Sequence, residues 1–338
     1  MNTLESVAHT RRETERRTAL SAVRLASLLC RRVHVSLLSD HAVAKPDMSP
    51  VTVADLGAQA LISMALADAF PTDPIVGEED ADVLRSDPDG ALAMAVTQHV
   101  GAARPGPDAA RIMDALDRCG HDGGRAGRFW TLDPVDGTKG FLRGGQYAVA
   151  LALVEDGEVV LGVLGCPNLP VKPSDPDTGT GCLFIAERGR GAWMMPLDGG
   201  EERPVKAGTR KSASRARWVE SVESGHSALD DSTRVAAALG LAAPIRMDSQ
   251  AKYATVARGQ AAAYLRLPTD PAYRERIWDH AAGWLMVTEA GGEVTDVRGR
   301  PFDFGRGRRL EDNAGVIATA GGGIHAEMLE AVSTVLGA

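Results

Sequence analysis

An α+β chain of two domains is what this sequence predicts, and three observations predict it. At 338 residues it is long enough for two well-buried cores. In the first half, Asp156-Gly157 joins two apolar runs as a hairpin turn, and a Gly-rich turn joins two more, so this half builds a largely antiparallel sheet beside its helices. In the second half strands and helices alternate, the pattern of a layered α/β unit. The polar, basic, Gly-containing stretch 199–217 separates the two patterns, which places the boundary near 210 and the domains at 1–210 and 211–338.

The elements follow in order. An amphipathic helix reaches to about Leu38, with Leu20, Val23 and Leu28 on its apolar stripe between arginines. A polar loop covers 39–50. After Val51-Thr52-Val53-Ala54-Asp55 a helix carries Leu61 and Met64 and stops before Pro71. Ile75-Val76 is a short strand running into Gly77-Glu78-Glu79-Asp80. The segment 82–128, rich in Asp, Gly and Ala, yields helices near 91–100 and 109–118 and nothing more definite. Strands are expected at 129–132, 147–154, 159–164, 183–186 and 192–195. Beyond the boundary come a strand at 218–221, a helix ending near Gly240, a strand at 245–247 and a helix from Ser249. A strand at 262–267, a helix from Asp279 and a strand–helix pair from Val316 complete the chain.

Composition narrows the function. The net charge of -8 argues against a general nucleic-acid binder. Cys30, Cys119, Cys166 and Cys182 are scattered without a CxxC pair, so free thiols in a reducing compartment are expected and zinc is not. The N-terminus mixes Arg11, Arg12, Arg16 and Arg17 with Glu13 and Glu15 and has no apolar signal core; no apolar run spans a membrane. A cytoplasmic protein with no membrane partner is the expectation, its oligomeric state open.

The most informative stretch is Asp133-Pro134-Val135-Asp136-Gly137-Thr138. Two carboxylates, the free Val135 carbonyl and the Thr138 hydroxyl make an all-oxygen set, which suits a hard cation such as Mg2+. Gly137 and Thr138 would offer backbone N–H groups to a phosphate if a helix starts there. The other reading is a type I turn with Asp at its ends. Glu78 at a strand end suits a metal, or is one of a solvated acidic cluster. Asp279 and Asp55 suit helix caps as well as chemistry. His280 reads as a structural histidine.

Taken together and in order, Val51–Asp55, Gly77-Glu78-Glu79, Asp133–Thr138 and Trp278-Asp279-His280-Ala281-Ala282-Gly283 resemble the signature elements of the lithium-sensitive, magnesium-dependent phosphatases. That superfamily includes inositol monophosphatases, fructose-1,6-bisphosphatases and 3′(2′),5′-bisphosphate nucleotidases. The stretches from Lys139-Gly140-Phe141 to Tyr147-Ala148, Gly165-Cys166-Pro167-Asn168, Asp248-Ser249-Gln250-Ala251-Lys252-Tyr253 and Tyr264-Leu265-Arg266-Leu267-Pro268 are similar to the last branch. Inositol monophosphatases generally carry Asn-Phe where this chain has Lys139-Gly140-Phe141.

The resemblance implies a five-layered α/β/α/β/α sandwich with the active site between the domains. It also implies hydrolysis of the 3′-phosphate of adenosine 3′,5′-bisphosphate by a metal-activated water. Glu78, Asp133 and the Val135 carbonyl would bind one Mg2+; Asp133, Asp136 and Asp279 a second; a third, looser ion would sit near Glu78. Thr138, oriented by Asp55, would aim the water. Gly137, Thr138, His226, Ser249, Lys252, Arg266 and Asp279 would contact the nucleotide bisphosphate, with Lys252 and Arg266 on the 5′-phosphate. For Lys252 and Arg266 the other reading is surface salt bridges, and for Ser249 a helix cap. Two further readings remain at this point: the same chemistry on an inositol phosphate, sugar phosphate or specialised nucleotide, and a non-catalytic nucleotide-binding regulator.

Overall fold

The structure, a computed structural model, describes residues 3–39, 50–209, 212–223, 227–270 and 272–337. Helices α1 (Thr3–Ser39) and α2 (Pro50–Ala69) come first. Pro50 at the first position of α2 fits proline's tolerance there. Strand β1 (Ile75–Gly77) and the short helices α3 (Asp82–Ser86), α4 (Ala91–Ala103) and α5 (Ala109–Asp117) lead to β2 (Arg128–Asp136). A five-residue helix, α6 (Thr138–Leu142), precedes β3 (Ala148–Glu155), β4 (Glu158–Pro170), β5 (Thr180–Glu187), β6 (Gly191–Pro196) and β7 (Arg203–Pro204). These seven strands pair in chain order, with β1 parallel to β2 and the rest antiparallel. The β3–β4 turn has φ of 50° at Asp156 and 82° at Gly157, the twist that right-handed hairpins favour.

The second sheet contains β8 (Trp218–Glu220), β9 (Ile245–Arg246), β10 (Ala263–Arg266), β11 (Glu293–Thr295) and β12 (Val316–Thr319), in the order β11-β12-β10-β8-β9. Helices α7 (Leu229–Leu239), α8 (Ala251–Ala257), α9 (Ala281–Glu289) and α10 (Ile324–Leu336) are threaded between them.

Alternation along the strands builds the layers. On β3, Val149, Leu151 and Leu153 face a core shared with Val23 and Leu29 of α1 and Leu56 and Leu61 of α2. The opposite face of β3, with Ala148, Ala150 and Ala152, joins a core containing Tyr253 of α8, Leu285 of α9 and Tyr264 of β10. Beyond the second sheet, Leu265, Ile317 and Trp218 pack with Val235 of α7 and Met328 of α10. The expected five-layered α/β/α/β/α sandwich is therefore what the chain forms. The small face of the first sheet lets the central helices approach closely: a Cβ added at Gly162 would stand 3.1 Å from Ala282.

Three local readings change. The strand expected at 129–132 runs on to Asp136, so the Asp133–Asp136 stretch is a bulged strand end and not a type I turn; the register shifts there, where Pro134 has no N–H to give the ladder. Asp55 lies inside α2 and does not cap it. Asp279 closes a single 3₁₀ turn, Ile277–Asp279, and the N-cap of α9 is His280.

Candidate active site

One cavity of about 540 Å³ collects most of the residues the sequence singled out. Glu78, Asp133, Val135, Asp136, Gly137, Thr138, Ser249, Lys252, Arg266 and Asp279 all line it. Its acidic wall is built by the ends of β1 and β2 and the turn before α9. Glu78 is set in place through its neighbours: buried Gln59 of α2 donates to the Glu79 carbonyl at 2.6 Å and accepts from the Glu79 N–H at 3.1 Å. Asp133 accepts the Val135 N–H across the bulge at 3.1 Å. Asp136 accepts the Gln250 N–H at 2.5 Å. The Gln250 side chain donates to the Trp278 carbonyl at 2.8 Å and accepts from Gly283 N–H at 3.0 Å, so one residue ties Asp136 to the segment carrying Asp279.

This wall is under electrostatic load. Burial raises the Glu78 carboxyl to about 7; a hydrogen bond with Asp133 opposes the rise, Glu79 and Asp136 add to it, and Arg276 offsets it in part. Burial, then the charges of Glu78, Asp136 and Asp279, pushes Asp133 well above the carboxylate range. Asp279 rises for the same reasons, with Asp136 and Glu78 as its neighbours. Asp136 is also raised by burial, against the pull of Lys252.

The opposite wall is cationic and internally paired. Arg266, at the end of β10, joins Glu275 through Nε and Nη2, each at 2.8 Å. Burial works against the Arg266 charge, and Glu275 more than offsets it. Glu275 in turn sits at about 2: burial is outweighed by Arg266 and by His280. His280 spends both ring nitrogens, on the Tyr253 hydroxyl at 2.8 Å and on Glu275 at 3.3 Å. Glu275, Asp279 and His280 have ligand atoms within 4.8 Å of one another, but these contacts commit Glu275 and His280 to the protein, which supports the structural reading of His280. Lys252 is buried against the Tyr264 ring, 5.2 Å from its centroid, and burial lowers it to about 8 despite Asp136. Neither Lys252 nor Arg266 is a surface salt bridge, which corrects that alternative.

Gly137 begins α6 with φ of 87°, and a Cβ there would lie 2.9 Å from the Ser249 Cβ. Ser249, itself at φ 68°, lines the cavity and accepts the Ala251 N–H at 3.2 Å, but the N-cap of α8 is Gln250, so the helix-cap reading of Ser249 is corrected. Thr138 is exposed at the cavity edge. Asp55 is buried outside the cavity wall; burial, then Glu79 and Glu78, raises its carboxyl, and among the described residues no hydrogen bond joins it to Thr138. His226 lies outside the described residues. Reading the sequence missed Gln59, Gln250 and Glu275. Gln250 and Glu275 stand within or beside quoted motifs; Gln59 gave no signal beyond a polar residue in an apolar helix.

The donor set fits a hard divalent cation: every group on the acidic wall is an oxygen, and four carboxylates share one cavity, Asp133 buried, Asp136 and Asp279 half-buried and Glu78 reaching solvent. Known proteins agree. The sequence model of the inositol monophosphatase family matches residues 11–335. This chain belongs to the inositol monophosphatase family. Members of it are metal-dependent phosphatases.

Within the family, the chain is 44% identical to a 3′(2′),5′-bisphosphate nucleotidase of Schizosaccharomyces pombe over 96% of both chains. It is also 44% identical to one of Emericella nidulans, over 96% of this chain and 99% of that one, and 43% identical to one of Oryza sativa over 89% and 88%. In fold it is similar to an inositol monophosphatase from Anabaena, with a TM-score of 0.61 at 19% identity over 95% and 96% of the chains. One from Zymomonas mobilis gives 0.62 at 20% over 95% and 98%.

Proposed function

We propose that this family member is a 3′(2′),5′-bisphosphate nucleotidase that hydrolyses the 3′-phosphate of adenosine 3′,5′-bisphosphate to AMP and phosphate. The observation that carries the reading is the meeting, in one cavity, of four carboxylates, the innermost of them the buried Asp133, with a buried lysine and a half-buried arginine. The names of the relatives, at more than 40% identity, support the same substrate. The change of sheet between Pro204 and Trp218 supports a domain boundary near 210. Four free, buried cysteines, and a chain in which no described helix is long and apolar enough to cross a membrane, support the cytoplasm as its place.

Glu78, Asp133, the Val135 carbonyl, Asp136 and Asp279 would hold two or three Mg2+. Such ions, when bound, supply positive charge for the phosphoryl oxygens and make a bound water more acidic. The chain's own groups do the rest. The N–H groups of Gly137 and Thr138, at the start of α6, face phosphoryl oxygens. The Thr138 hydroxyl aims the attacking water, and Asp55, with its raised proton affinity, orients that hydroxyl once the two come together. Lys252 and Arg266 hold the non-reacting 5′-phosphate; Ser249 and His226 contact the ribose or base. The water oxygen bonds to phosphorus as the bond from phosphorus to the 3′ oxygen breaks, so no phosphoenzyme is needed.

The test is phosphate release from adenosine 3′,5′-bisphosphate beside inositol 1-phosphate and AMP, with Mg2+ and with or without Li+. Fast, lithium-inhibited release from the bisphosphate alone is expected. Preference for inositol 1-phosphate would retire the roles of Lys252 and Arg266, and binding without turnover on any substrate would retire the enzyme.

A further inference from the structure

We propose that Arg308 is a positioning residue that sets the placement of Glu78 relative to Asp279. It rests on the metal-site reading given above. Glu78 and Asp279 come from distant parts of the chain, and a cation held between them requires their separation to be fixed. Arg308 touches the residue immediately before each. Its Nη2 donates to the Gly77 carbonyl at 2.6 Å, and its Nη1 donates to the His121 carbonyl at 2.9 Å. Its guanidinium carbon lies 4.8 Å from the centroid of the Trp278 ring. Its own carbonyl accepts the Ile277 N–H at 3.2 Å. One residue thus grips the β1 end by its side chain and the 3₁₀ turn by both side chain and backbone.

Gln250 also holds this turn, through the Trp278 carbonyl, and two further observations concern the Trp278 ring that Arg308 grips. The Trp278 indole N–H is buried and has no hydrogen-bond partner among the described residues, so the ring is held by its faces and not by its edge. The same ring carries the Arg276 guanidinium, 5.3 Å from its centroid, whose charge acts on Glu78. A flat guanidinium can donate to two carbonyls in one plane while lying against an aromatic ring; an ammonium cannot, so lysine is not equivalent here. Groups behind metal ligands commonly matter this much.

The experiment measures Mg2+ binding to the substrate-free protein by titration calorimetry, alongside kcat and KM. R308K keeps the charge and the stem, and is expected to lose about 10- to 100-fold in Mg2+ affinity, as loss of an outer-shell partner does. R306M, at an exposed neighbour paired with Asp303 and Asp312, should bind as wild type does. W278F keeps an aromatic ring in the core and should lose less. The double variant R308K/W278F should lose no more than R308K alone, since both changes break one contact. Wild-type affinity in R308K, or losses that add in the double variant, would overturn the proposal. Failure of the wild-type protein to bind Mg2+ would overturn the metal reading and this inference together, and is distinguished by that.

Discussion

On one wall of the cavity, Glu78, Asp133, Asp136 and Asp279 stand beside one another, and the partners they do have are mainly backbone N–H groups. On the other, Arg266 and Glu275 satisfy each other through two bonds, and His280 and Tyr253 complete the network. Both walls bury charge, yet one is compensated by the protein and the other is not. A compensated cluster is rigid and finished. An uncompensated one holds its carboxylates at raised proton affinity until cations or protons arrive, which is the state expected of a metal site.

Removing one member of the uncompensated wall should have the largest effect on activity and the smallest cost in stability. D133N should abolish turnover while leaving the metal-free protein at least as stable as wild type, because it removes like-charge repulsion. Retained activity would sink the central role given to Asp133; steady-state kinetics and thermal melts in a chelator decide it.

The compensated wall should respond the other way. E275Q leaves the Arg266 charge buried without its partner, and breaking such a pair costs about 3–5 kcal/mol. Denaturant unfolding measures it, and a loss under 1 kcal/mol would show that the two walls differ less than their bonding indicates. K252M is narrower: it should raise KM for adenosine 3′,5′-bisphosphate about 10- to 100-fold, from the worth of a hydrogen bond to a charged group. It should leave KM for adenosine 3′-monophosphate, which lacks the 5′-phosphate, nearly unchanged. Equal effects on both substrates would remove Lys252 from the 5′-phosphate.

The smallest effect is in pH. Glu78 is raised from its ordinary value to about 7 in the fold. A group raised in this way stabilises below its unfolded pKa and loses that contribution as pH climbs through the folded value. The metal-free protein should therefore melt at lower temperature as pH rises from about 4.3 to about 7, the first being the unperturbed glutamate value. Added Mg2+ should flatten that slope. A melting temperature rising over this window in chelator would contradict the load assigned to the acidic wall.

Much of this contrast was legible in the sequence, and on one side only. The acidic wall was readable because Asp133 and Asp136 are close in the chain and Glu78 and Asp279 stand in local motifs. The partnering on the other wall was not: Arg266 suggested a ligand contact, and nothing local showed that Glu275, across a loop, would take two of its donors. Arg308 and Gly77 meet only because the chain folds back across most of its length. The antiparallel first sheet and the alternating second half came through clearly, since hairpin chemistry and period are local. The Asp133–Asp136 bulge did not, because proline and aspartate favour turns and strand ends alike and only the neighbouring strand decides between them.

The alanines and glycine on the inner face of the first sheet carry no polar atom, yet they act as a spacer gauge. Ala148, Ala150, Ala152 and Gly162 admit the central helices almost to backbone contact, and α9, which begins two residues after Asp279, is the helix that Gly162 meets. A bulkier side chain there would lift the whole layer and carry Asp279 away from Asp133 and Asp136. The reach of the acids across the cavity is written in part as small side chains on two strands, β3 and β4, that lie outside its lining.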